Sequence, residues 1–326
     1  MSDANLLPRK LRYADAVVRL GSIQAAAREL SISASAIDRQ IIQLEDELGV
    51  QIFERIASGM RPTAAGQLLA VLTRRWSGDI ERTVSELKQM QGVTQGKVRL
   101  AAMDSHANGL LVPFIQRLAI EHPRILLEID IVGTDEAVRL LDDGVVEVIV
   151  TFNLKPNRDV HALWSAQLPL GCVVAPDHAL AREPSTTLKQ VTAYAIASQN
   201  RSLSIRRYLE KKHGWLFAGG EPPVVTNSLQ LVKSLARSGH YVALTSELDA
   251  GPEILDGSLC FVPIQGKEAQ PQTVDVAISA RRPLTRIARL VSELLAKDVE
   301  SYLASVRKVQ SQSTTSISRP TKARKR

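Results

Sequence analysis

The side chains best suited to recognise another molecule lie on a predicted helix that starts after Ser33. Its apolar face recurs at helical spacing, at Ile37, Ile41, Leu44 and Leu48, and the helix ends before Gly49. The opposite face presents Asp38 and Arg39. An arginine can bind guanine or a phosphate, and an aspartate can accept a hydrogen bond from the cytosine amino group. Asp38 is equally suited to be a solvated partner of Arg39 or of a neighbouring basic residue.

Two more arginines extend this surface further along the chain. Arg55 and Arg61 flank Gly59 within residues 53–62, a segment typical of a hairpin wing. The candidate DNA contacts are Ser33, Ala34, Ser35, Asp38, Arg39, Arg55 and Arg61. Residues 1–65 contain eight basic and eight acidic side chains. We therefore expect few phosphate contacts per protomer and a gain in affinity from dimeric binding.

No motif in the chain predicts catalysis. The sequence lacks the GxGxxG and GxxxxGK phosphate loops and the GxSxG nucleophile turn. None of the six histidines is spaced from another His or a Cys as metal ligands are, and the two cysteines form no CxxC pair. We expect no catalytic residue, no metal and no cofactor. The aromatic content of 4% also disfavours a stacking surface for single-stranded nucleic acid.

The net charge of +7 comes from one end of the chain. Residues 301–326 contain seven basic side chains and no acidic one, so the other residues balance at 34 of each sign. A length of 326 residues predicts at least two domains. No apolar run is long enough for a signal peptide or a membrane span, which predicts a cytoplasmic protein without a membrane partner.

Short helices must position the candidate DNA contacts. Apolar residues repeat at helical spacing after Pro8, Gly21 ends that helix, and Ser22 and Ser33 are suited to cap the next two. Two short helices joined by a few residues predict a helix-turn-helix. Thr63 can cap a long helix over residues 64–92, whose apolar stripe has no local partner. This stripe predicts pairing with another chain.

The pattern changes to alternating strands and helices from Lys97 onward. Strands predicted at 98–102, 125–132 and 146–152 alternate with helices at 109–122 and 135–144, which indicates a parallel sheet with helices on both faces. A second α/β stretch begins at residue 170, and a helix over 284–306 closes the folded part. Residues 307–326 are rich in Ser, Thr, Lys and Arg without apolar periodicity, so we expect a disordered tail. Such a tail would aid solubility or attract DNA.

The segment from Gly21 to Leu69 resembles the DNA-binding domain of LysR-type transcriptional regulators. The shared residues are Gly21-Ser22, Ala26-Ala27, Leu30, Ser33, Ala36, Arg39-Gln40-Ile41, Leu44-Glu45, Leu48-Gly49, Phe53, Arg55, Thr63 and Ala65-Gly66. The order of elements downstream resembles the family's effector domain, so the resemblance spans about residues 9–305. The family usually has Gln-Pro at 34–35 and Ser at 38, where this chain has Ala34-Ser35 and Asp38.

The resemblance implies an α/β fold with an N-terminal winged helix-turn-helix, a linker helix and a two-lobed effector domain like periplasmic binding proteins of type 2. The implied domains are residues 1–65, the linker and dimerisation helix 66–96, lobe I over 97–168 and 276–306, lobe II over 169–275, and the tail 307–326. A homodimer or homotetramer is implied, formed through the 64–92 helix and the effector domains.

The implied small-molecule site is a cleft between the lobes, at strand ends and helix N-termini. The candidate effector contacts are Asp104, Ser105, His106, Thr151, Phe152, Asn200 and Thr226. The family commonly has small hydroxyl residues at 104 and 106, and a carboxylate beside an imidazole there suits an amine-bearing or zwitterionic effector. Two alternatives compete with a regulator: a transporter's solute-binding protein and an enzyme on the same fold. The N-terminal DNA-binding features and the missing signal peptide disfavour the first, and the missing catalytic motifs disfavour the second.

Overall fold

The computed structural model describes residues 6–90, 96–266 and 269–317 of the chain. It divides into two compact units, Met1–Gln95 with Leu140–Val146, and Gly96–Arg139 with Glu147–Arg326. The helices are α1 Arg9–Leu20, α2 Ile23–Leu30, α3 Ala34–Leu48, α4 Ala64–Met90, α5 Asp104–His106, α6 Val112–Glu121, α7 Thr134–Asp142, α8 Leu188–Val191, α9 Ser204–His213, α10 Leu229–Arg237, α11 Gly251–Leu255 and α12 Arg286–Ile317. The strands are β1 Phe53–Ile56, β2 Gly59–Pro62, β3 Gly96–Ala102, β4 Ile125–Ile131, β5 Val148–Phe152, β6 Val160–Leu168, β7 Gly171–Val174, β8 Ala197–Gln199, β9 Val224–Thr226, β10 Ala243–Thr245, β11 Cys260–Pro263 and β12 Gln272–Ser279.

The first unit contains the predicted helix-turn-helix, and its cap residues act as expected. Gly21 ends α1 in the left-handed conformation, with φ of 65°. Ser22 and Ser33 accept backbone hydrogen bonds at the starts of α2 and α3. The helices share one apolar core, which includes Val17, Ala26, Ile37 and Ile41. Leu48 was predicted to join that core, but its side chain is 49% exposed because it lies in the last turn of α3, beyond the packed residues.

Two glycines allow the wing to approach the helices closely. The backbone N–H of Met60, next to the wing tip, donates to the carbonyl of Gly21 at 2.8 Å. A Cβ atom on Gly59 would lie 2.4 Å from that same oxygen, and a Cβ on Gly66 would lie 2.1 Å from the carbonyl of Ile52. Both positions therefore require glycine. Strands β1 and β2 pair antiparallel as the predicted wing.

The long helix α4 starts where the sequence predicts. Thr63 Oγ1 accepts from the backbone N–H of Gly66 at 3.1 Å and donates to the carbonyl of Gln51 at 2.9 Å. The helix was predicted to run to residue 92, and its last two predicted residues lie outside the described part of the chain. Large apolar side chains on α4 remain exposed at Leu68, Leu72, Trp76 and Leu87. The helix therefore presents an apolar surface without a partner in its own unit.

In the second unit, lobe I is built on a five-stranded sheet in the order β4-β3-β5-β12-β6. Strand β3 pairs parallel with β4 and β5, as the strand-helix alternation predicts. Strands β12 and β6 extend the sheet antiparallel, and β6 was not predicted because its side chains are mostly exposed. The core of lobe I packs sheet residues against α6 and α12, for example Leu100 and Val148 with Phe114 and Val291.

Lobe II contains the antiparallel sheet β10-β7-β11 and the parallel pair β8-β9. The chain leaves lobe I between Leu168 and Gly171, close to the predicted crossing. It returns between Pro263 and Gln272, because β12 belongs to the sheet of lobe I from its first residue. Residues 272–275 were thus assigned to the wrong lobe.

The last helix is longer than predicted. The sequence predicts disorder over 307–326, but α12 continues to Ile317, so that prediction is wrong for residues 307–317. Val306 is fully buried in a core of lobe II, and Arg307 donates from Nε to Glu247 and from Nη2 to the carbonyl of Gln167, both at 2.8 Å. These contacts hold the helix beyond its predicted end. Residues 318–326 lie outside the described residues, and no described helix is both long and apolar enough to cross a membrane.

Candidate functional site

The start of α3 forms the predicted recognition surface. Ser33 Oγ accepts from the backbone N–H of Ala36 at 3.2 Å, so this hydroxyl caps the helix. Ser35 Oγ donates to Ser33 Oγ at 3.2 Å. Ala34 is half-buried and packs against the core of the first unit. The exposed side chains left for contact with DNA at this end of α3 are therefore few and short, except for Arg39.

Two of the predicted arginines are held by acidic neighbours. Arg55 on β1 forms an ion pair with Asp38 on α3. Arg61 on β2 donates to Glu54 on β1, with Nη2 at 2.5 Å and Nε at 3.1 Å from the same carboxylate oxygen. Both pairs are exposed, where such pairs contribute only about 0–1 kcal/mol, so phosphates can compete for these guanidinium groups.

Arg39 differs from them because it makes no hydrogen bond or ion pair with any residue that the structure describes. Its side chain is exposed on the face of α3 opposite Ile37 and Ile41. An unpaired arginine near the start of such a helix is free to donate to a base edge. Of the predicted contacts, it is the best placed for recognition, and its contact with DNA stays a prediction.

Glu45 has a role that was not predicted from the sequence. Its Oε1 accepts from the backbone N–H groups of Ile52 and Phe53, at 2.8 and 3.1 Å. The carboxylate thus fixes the start of β1 relative to α3. The family resemblance included Leu44-Glu45, and this pairing supplies a physical reason for the carboxylate.

A cavity of about 390 Å³, part of it open to solvent, lies between lobe I and lobe II. It is lined by Met103, Asp104, Ser105, Phe152, Leu203, Ile205, Leu229, Thr245, Ser246, Asp249 and Gln272. Met103, Asp104 and Ser105 follow β3, and Phe152 ends β5. Thr245 ends β10, and Ser246 and Asp249 follow it. Strand ends therefore supply the polar lining, as expected for a ligand site in an α/β fold.

Three of the seven predicted effector contacts line this cavity, namely Asp104, Ser105 and Phe152. Contact of these residues with an effector stays a prediction. Ser105 is 8% exposed, and its hydroxyl has no hydrogen-bond partner in the described structure. Asp104 is exposed at the first position of α5 and does not cap it, since Met103 occupies the cap position.

His106 was predicted to contact the effector, but the structure buries it completely. Its ring stacks on Phe152 with centroids 4.9 Å apart, and neither ring nitrogen has a hydrogen-bond partner among the described residues. Burial lowers the pKa of His106 to about 3, and the nearby backbone carbonyl of Met103 opposes this only in part. The imidazole is therefore neutral and supports the ring of Phe152 rather than lining the cavity.

The other three predicted contacts also lie outside the cavity lining. Adjacent residues of a strand point to opposite faces, so Thr151 is turned away from the cavity that Phe152 reaches. Asn200 Oδ1 accepts from the backbone N–H and the hydroxyl of Ser202, at 2.9 and 2.6 Å. Thr226 Oγ1 accepts from the backbone N–H of Ser228 at 3.1 Å. Asn200 and Thr226 thus shape the turns that lead into α9 and α10.

A group of polar residues at the end of β10 and in the turn after it was not predicted from the sequence. Thr245 Oγ1 donates to Asp249 Oδ2 at 2.5 Å, and Ser246 Oγ accepts from the backbone N–H of Asp249 at 3.2 Å. Burial raises the pKa of Asp249 to about 6, although the hydrogen bond from Thr245 and the charge of Lys233 oppose this rise. The available signal was the pair Thr245-Ser246 at the end of the apolar run over residues 241–244.

Known proteins match both halves of the chain. The profile of bacterial regulatory helix-turn-helix proteins of the lysR family matches residues 8–67, and that of the LysR substrate binding domain matches residues 91–300. A RuBisCO operon transcriptional regulator of Allochromatium vinosum is 28% identical over 246 residues, which cover 73% of this chain and 78% of that protein. The transcriptional activator protein LysR of Escherichia coli strain K12 is 23% identical over 320 residues, which cover 97% of this chain and 100% of that protein.

Solved structures show the same fold. A full-length OxyR variant from Pseudomonas aeruginosa superimposes with a TM-score of 0.63 at 19% identity, covering 89% of this chain and 93% of its own. Full-length CbnR in complex with its target DNA superimposes with a TM-score of 0.60 at 20% identity, covering 90% of this chain and 99% of its own. The predicted fold class is thereby confirmed. Because the two family profiles together cover most of its length, the chain belongs to the LysR family of bacterial helix-turn-helix transcriptional regulators.

Proposed function

We propose that this chain binds an operator as a homo-oligomer and changes that binding when a small molecule occupies the cavity between lobe I and lobe II. The observation that carries the proposal is the unpaired, exposed Arg39 on a capped helix of a lysR-type helix-turn-helix. Arg39 is free to donate to a base edge, while the paired Arg55 and Arg61 are suited to exchange their acidic partners for phosphates.

Oligomer formation is proposed to use α4. Its exposed residues Leu68, Leu72 and Trp76 are spaced four apart, so they form one apolar row along the helix. Association of two such rows removes apolar surface from water, which stabilises the pair. A dimer would place two recognition helices on one DNA molecule and raise the affinity of a nearly neutral DNA-binding domain. Whether two or four protomers assemble is a separate outcome of the sedimentation measurement described below.

The regulatory step is proposed to be a shift between two quaternary states. An effector can change operator binding only if it has different affinities for those states. The cavity supports this role because both lobes line it, so a bound molecule contacts both. The proposal assigns no catalytic reaction, no metal and no cofactor to the chain, and it places the protein in the cytoplasm, where the operator DNA is.

Selection of DNA from a random-sequence pool tests the DNA-binding half of the proposal. Full-length protein is expected to enrich one sequence motif with two related half-sites, and Arg39→Ala is expected to weaken the enrichment and to relax it at one position of each half-site. Arg158→Ala is the matched control, because it removes an exposed arginine from the effector domain instead. Enrichment of no motif by the wild-type protein would contradict the proposal and would favour the alternative of a solute-binding protein.

A further inference from the structure

We propose that the cavity between the lobes takes a small cationic amine, held by the carboxylates of Asp104 and Asp249. This inference rests on the proposed function and names the chemical class of its effector. The two aspartates are the only ionisable side chains among the described residues that line the cavity, and they come from different lobes. Their charges are close enough that Asp104 makes ionisation of Asp249 less favourable. A positive group between them would relieve that repulsion.

The nearest buried cation does not neutralise this pair. Lys233 Nζ donates to Glu253 Oε2 at 3.0 Å and to the backbone carbonyl of Asp249 at 3.1 Å. Lys233 and Glu253 are both buried, so they balance each other within the protein. Together with Asp104 and Asp249, these four groups have an excess of two negative charges when all are ionised. The local charge therefore attracts a cation and repels a plain carboxylate.

Asp249 retains an acceptor for a ligand. One of its carboxylate oxygens, Oδ2, accepts from Thr245. The other oxygen, Oδ1, accepts no hydrogen bond from any residue within the described ranges. An ammonium or guanidinium group has several donors and forms charge-assisted hydrogen bonds with such an oxygen.

Two buried polar groups point to a ligand independently of the acidic residues. The hydroxyl of Ser105 and the amide Nε2 of Gln272 have no hydrogen-bond partner in the described structure, and both residues line the cavity. Gln272 is 3% exposed, and its Oε1 accepts from Asn153 Nδ2 at 3.2 Å, which leaves Nε2 as a donor without an acceptor. A buried donor without an acceptor costs free energy in the folded protein. We therefore expect the ligand also to have an acceptor oxygen or nitrogen that these donors can reach.

The cavity has the lining of a small-molecule site rather than that of a metal site. Apolar side chains at Phe152, Leu203, Ile205 and Leu229 can cover a short aliphatic chain. Within the described residues, no group of three or more His, Cys, Asp or Glu side chains could hold a metal ion. These features favour an alkylamine over a divalent cation.

Calorimetric titration of the full-length protein tests the proposal with probes that differ in charge. The ammonium probes are cadaverine, agmatine, lysine and lysinamide. Pentanediol and glutarate are the neutral and anionic counterparts of cadaverine with the same carbon chain. We expect at least one ammonium probe to bind, pentanediol to bind at least about ten-fold more weakly than that probe, and glutarate not to bind.

Variants then locate the bound probe. Asp249→Asn and Asp104→Asn should each weaken the ammonium probe about ten-fold or more, because each removes a charge-assisted hydrogen bond. Asp104 is exposed, so its variant tests the proposal even if Asp249→Asn affects folding. Asp130→Asn is the matched control, since Asp130 is exposed on β4 and does not line the cavity.

Binding of glutarate in preference to the amines, failure of every ammonium probe to bind, or equal effects of Asp130→Asn and Asp104→Asn would each overturn the proposal. The DNA selection described above is made without any probe. A wild-type protein that selects a DNA motif but binds no amine would therefore refute only the amine assignment, and not the proposed function.

Discussion

Asp38 on α3 forms an ion pair with Arg55 on the wing strand β1, so the two side chains are already paired when no DNA is bound. The two side chains are 35% and 62% exposed. Arg55 pairs with Oδ1 of Asp38, so the charge of Asp38 competes with a phosphate for this arginine. We therefore expect Asp38 to affect DNA binding through Arg55.

A double-mutant cycle checks this relationship. Asp38→Ser, which restores the residue usual in the family, should strengthen operator binding because it frees Arg55 and removes a charge that repels phosphates. The coupling between the two positions should be up to about 1 kcal/mol, the range of exposed ion pairs. Fluorescence anisotropy with labelled operator measures all four proteins. If Asp38→Ser has the same effect with Ala at position 55, Asp38 acts on the DNA directly.

Arg39→Ala should reduce operator affinity by about 1–3 kcal/mol if the arginine forms two hydrogen bonds with a guanine. The loss should shrink on DNA in which that guanine is replaced, because a base contact depends on sequence and a phosphate contact does not. Gel-shift titration with both DNAs provides the measurement, with Arg158→Ala as the control. Equal losses on both DNAs would identify a phosphate contact instead.

Leu72→Glu combined with Trp76→Glu should convert the oligomer to monomers. Both side chains are exposed in the middle of the apolar row on α4, at 37% and 44%, and a charge there would have to be buried on association. Sedimentation velocity measures the result. Gln67→Glu adds a charge at an exposed position next to this row and should leave the assembly intact. Wild-type assembly by the double variant would place the interface elsewhere.

The DNA-binding half of the fold could be predicted from the sequence because its determinants are local. As helix caps, Gly21, Ser22, Ser33 and Thr63 each bond to the backbone within about four residues, and helical spacing predicted the buried face of α3. Leu48 was assigned to that face wrongly because spacing does not show where the packed neighbours end. The partners of Asp38 and Glu45 are distant in sequence, so only the folded chain shows them.

The cavity was only partly predictable, for the same reason. The positions of strand ends predicted Asp104, Ser105 and Phe152 as lining residues. Thr151 was included wrongly because it precedes Phe152 within β5 and so faces the other side of the sheet. His106 was included wrongly because the sequence does not show that it is buried behind Phe152. Asp249 follows β10 by four residues and reaches the cavity through a turn that Ser246 stabilises, a relation that no spacing rule predicts.

Asp249→Asn should stabilise the protein without ligand at neutral pH. Burial raises the pKa of Asp249 from 3.8 to about 6, with Asp104 and Glu253 raising it further, and with Thr245 and Lys233 opposing. The charge of Asp249 also faces Tyr302 on α12. The folded protein therefore holds the proton more tightly than the unfolded chain, and the free energy of unfolding falls as pH rises from 3.8 to 6.

At pH values above the pKa of Asp249 in both the folded and the unfolded chain, this difference lowers the free energy of unfolding by roughly 2–3 kcal/mol. At about pH 7.5 the free energy of unfolding of the variant should exceed that of the wild type by up to that amount. At about pH 4 the difference should be much smaller, because the wild-type carboxyl is then mostly protonated. Urea unfolding at both pH values measures the difference, with Asp130→Asn as the control. A variant that is less stable at both values would show that the hydrogen bond from Thr245 outweighs the cost of burying the charge.

Arg307 touches Glu247 of lobe II and the backbone of β6 in lobe I, while the same helix packs its apolar side against both cores. Helix α12 therefore joins the halves of the effector domain by side-chain contacts, in addition to the two crossings of the chain. Any closure of the two lobes around a molecule in the cavity would have to break or rearrange the contacts of Arg307 and Val306.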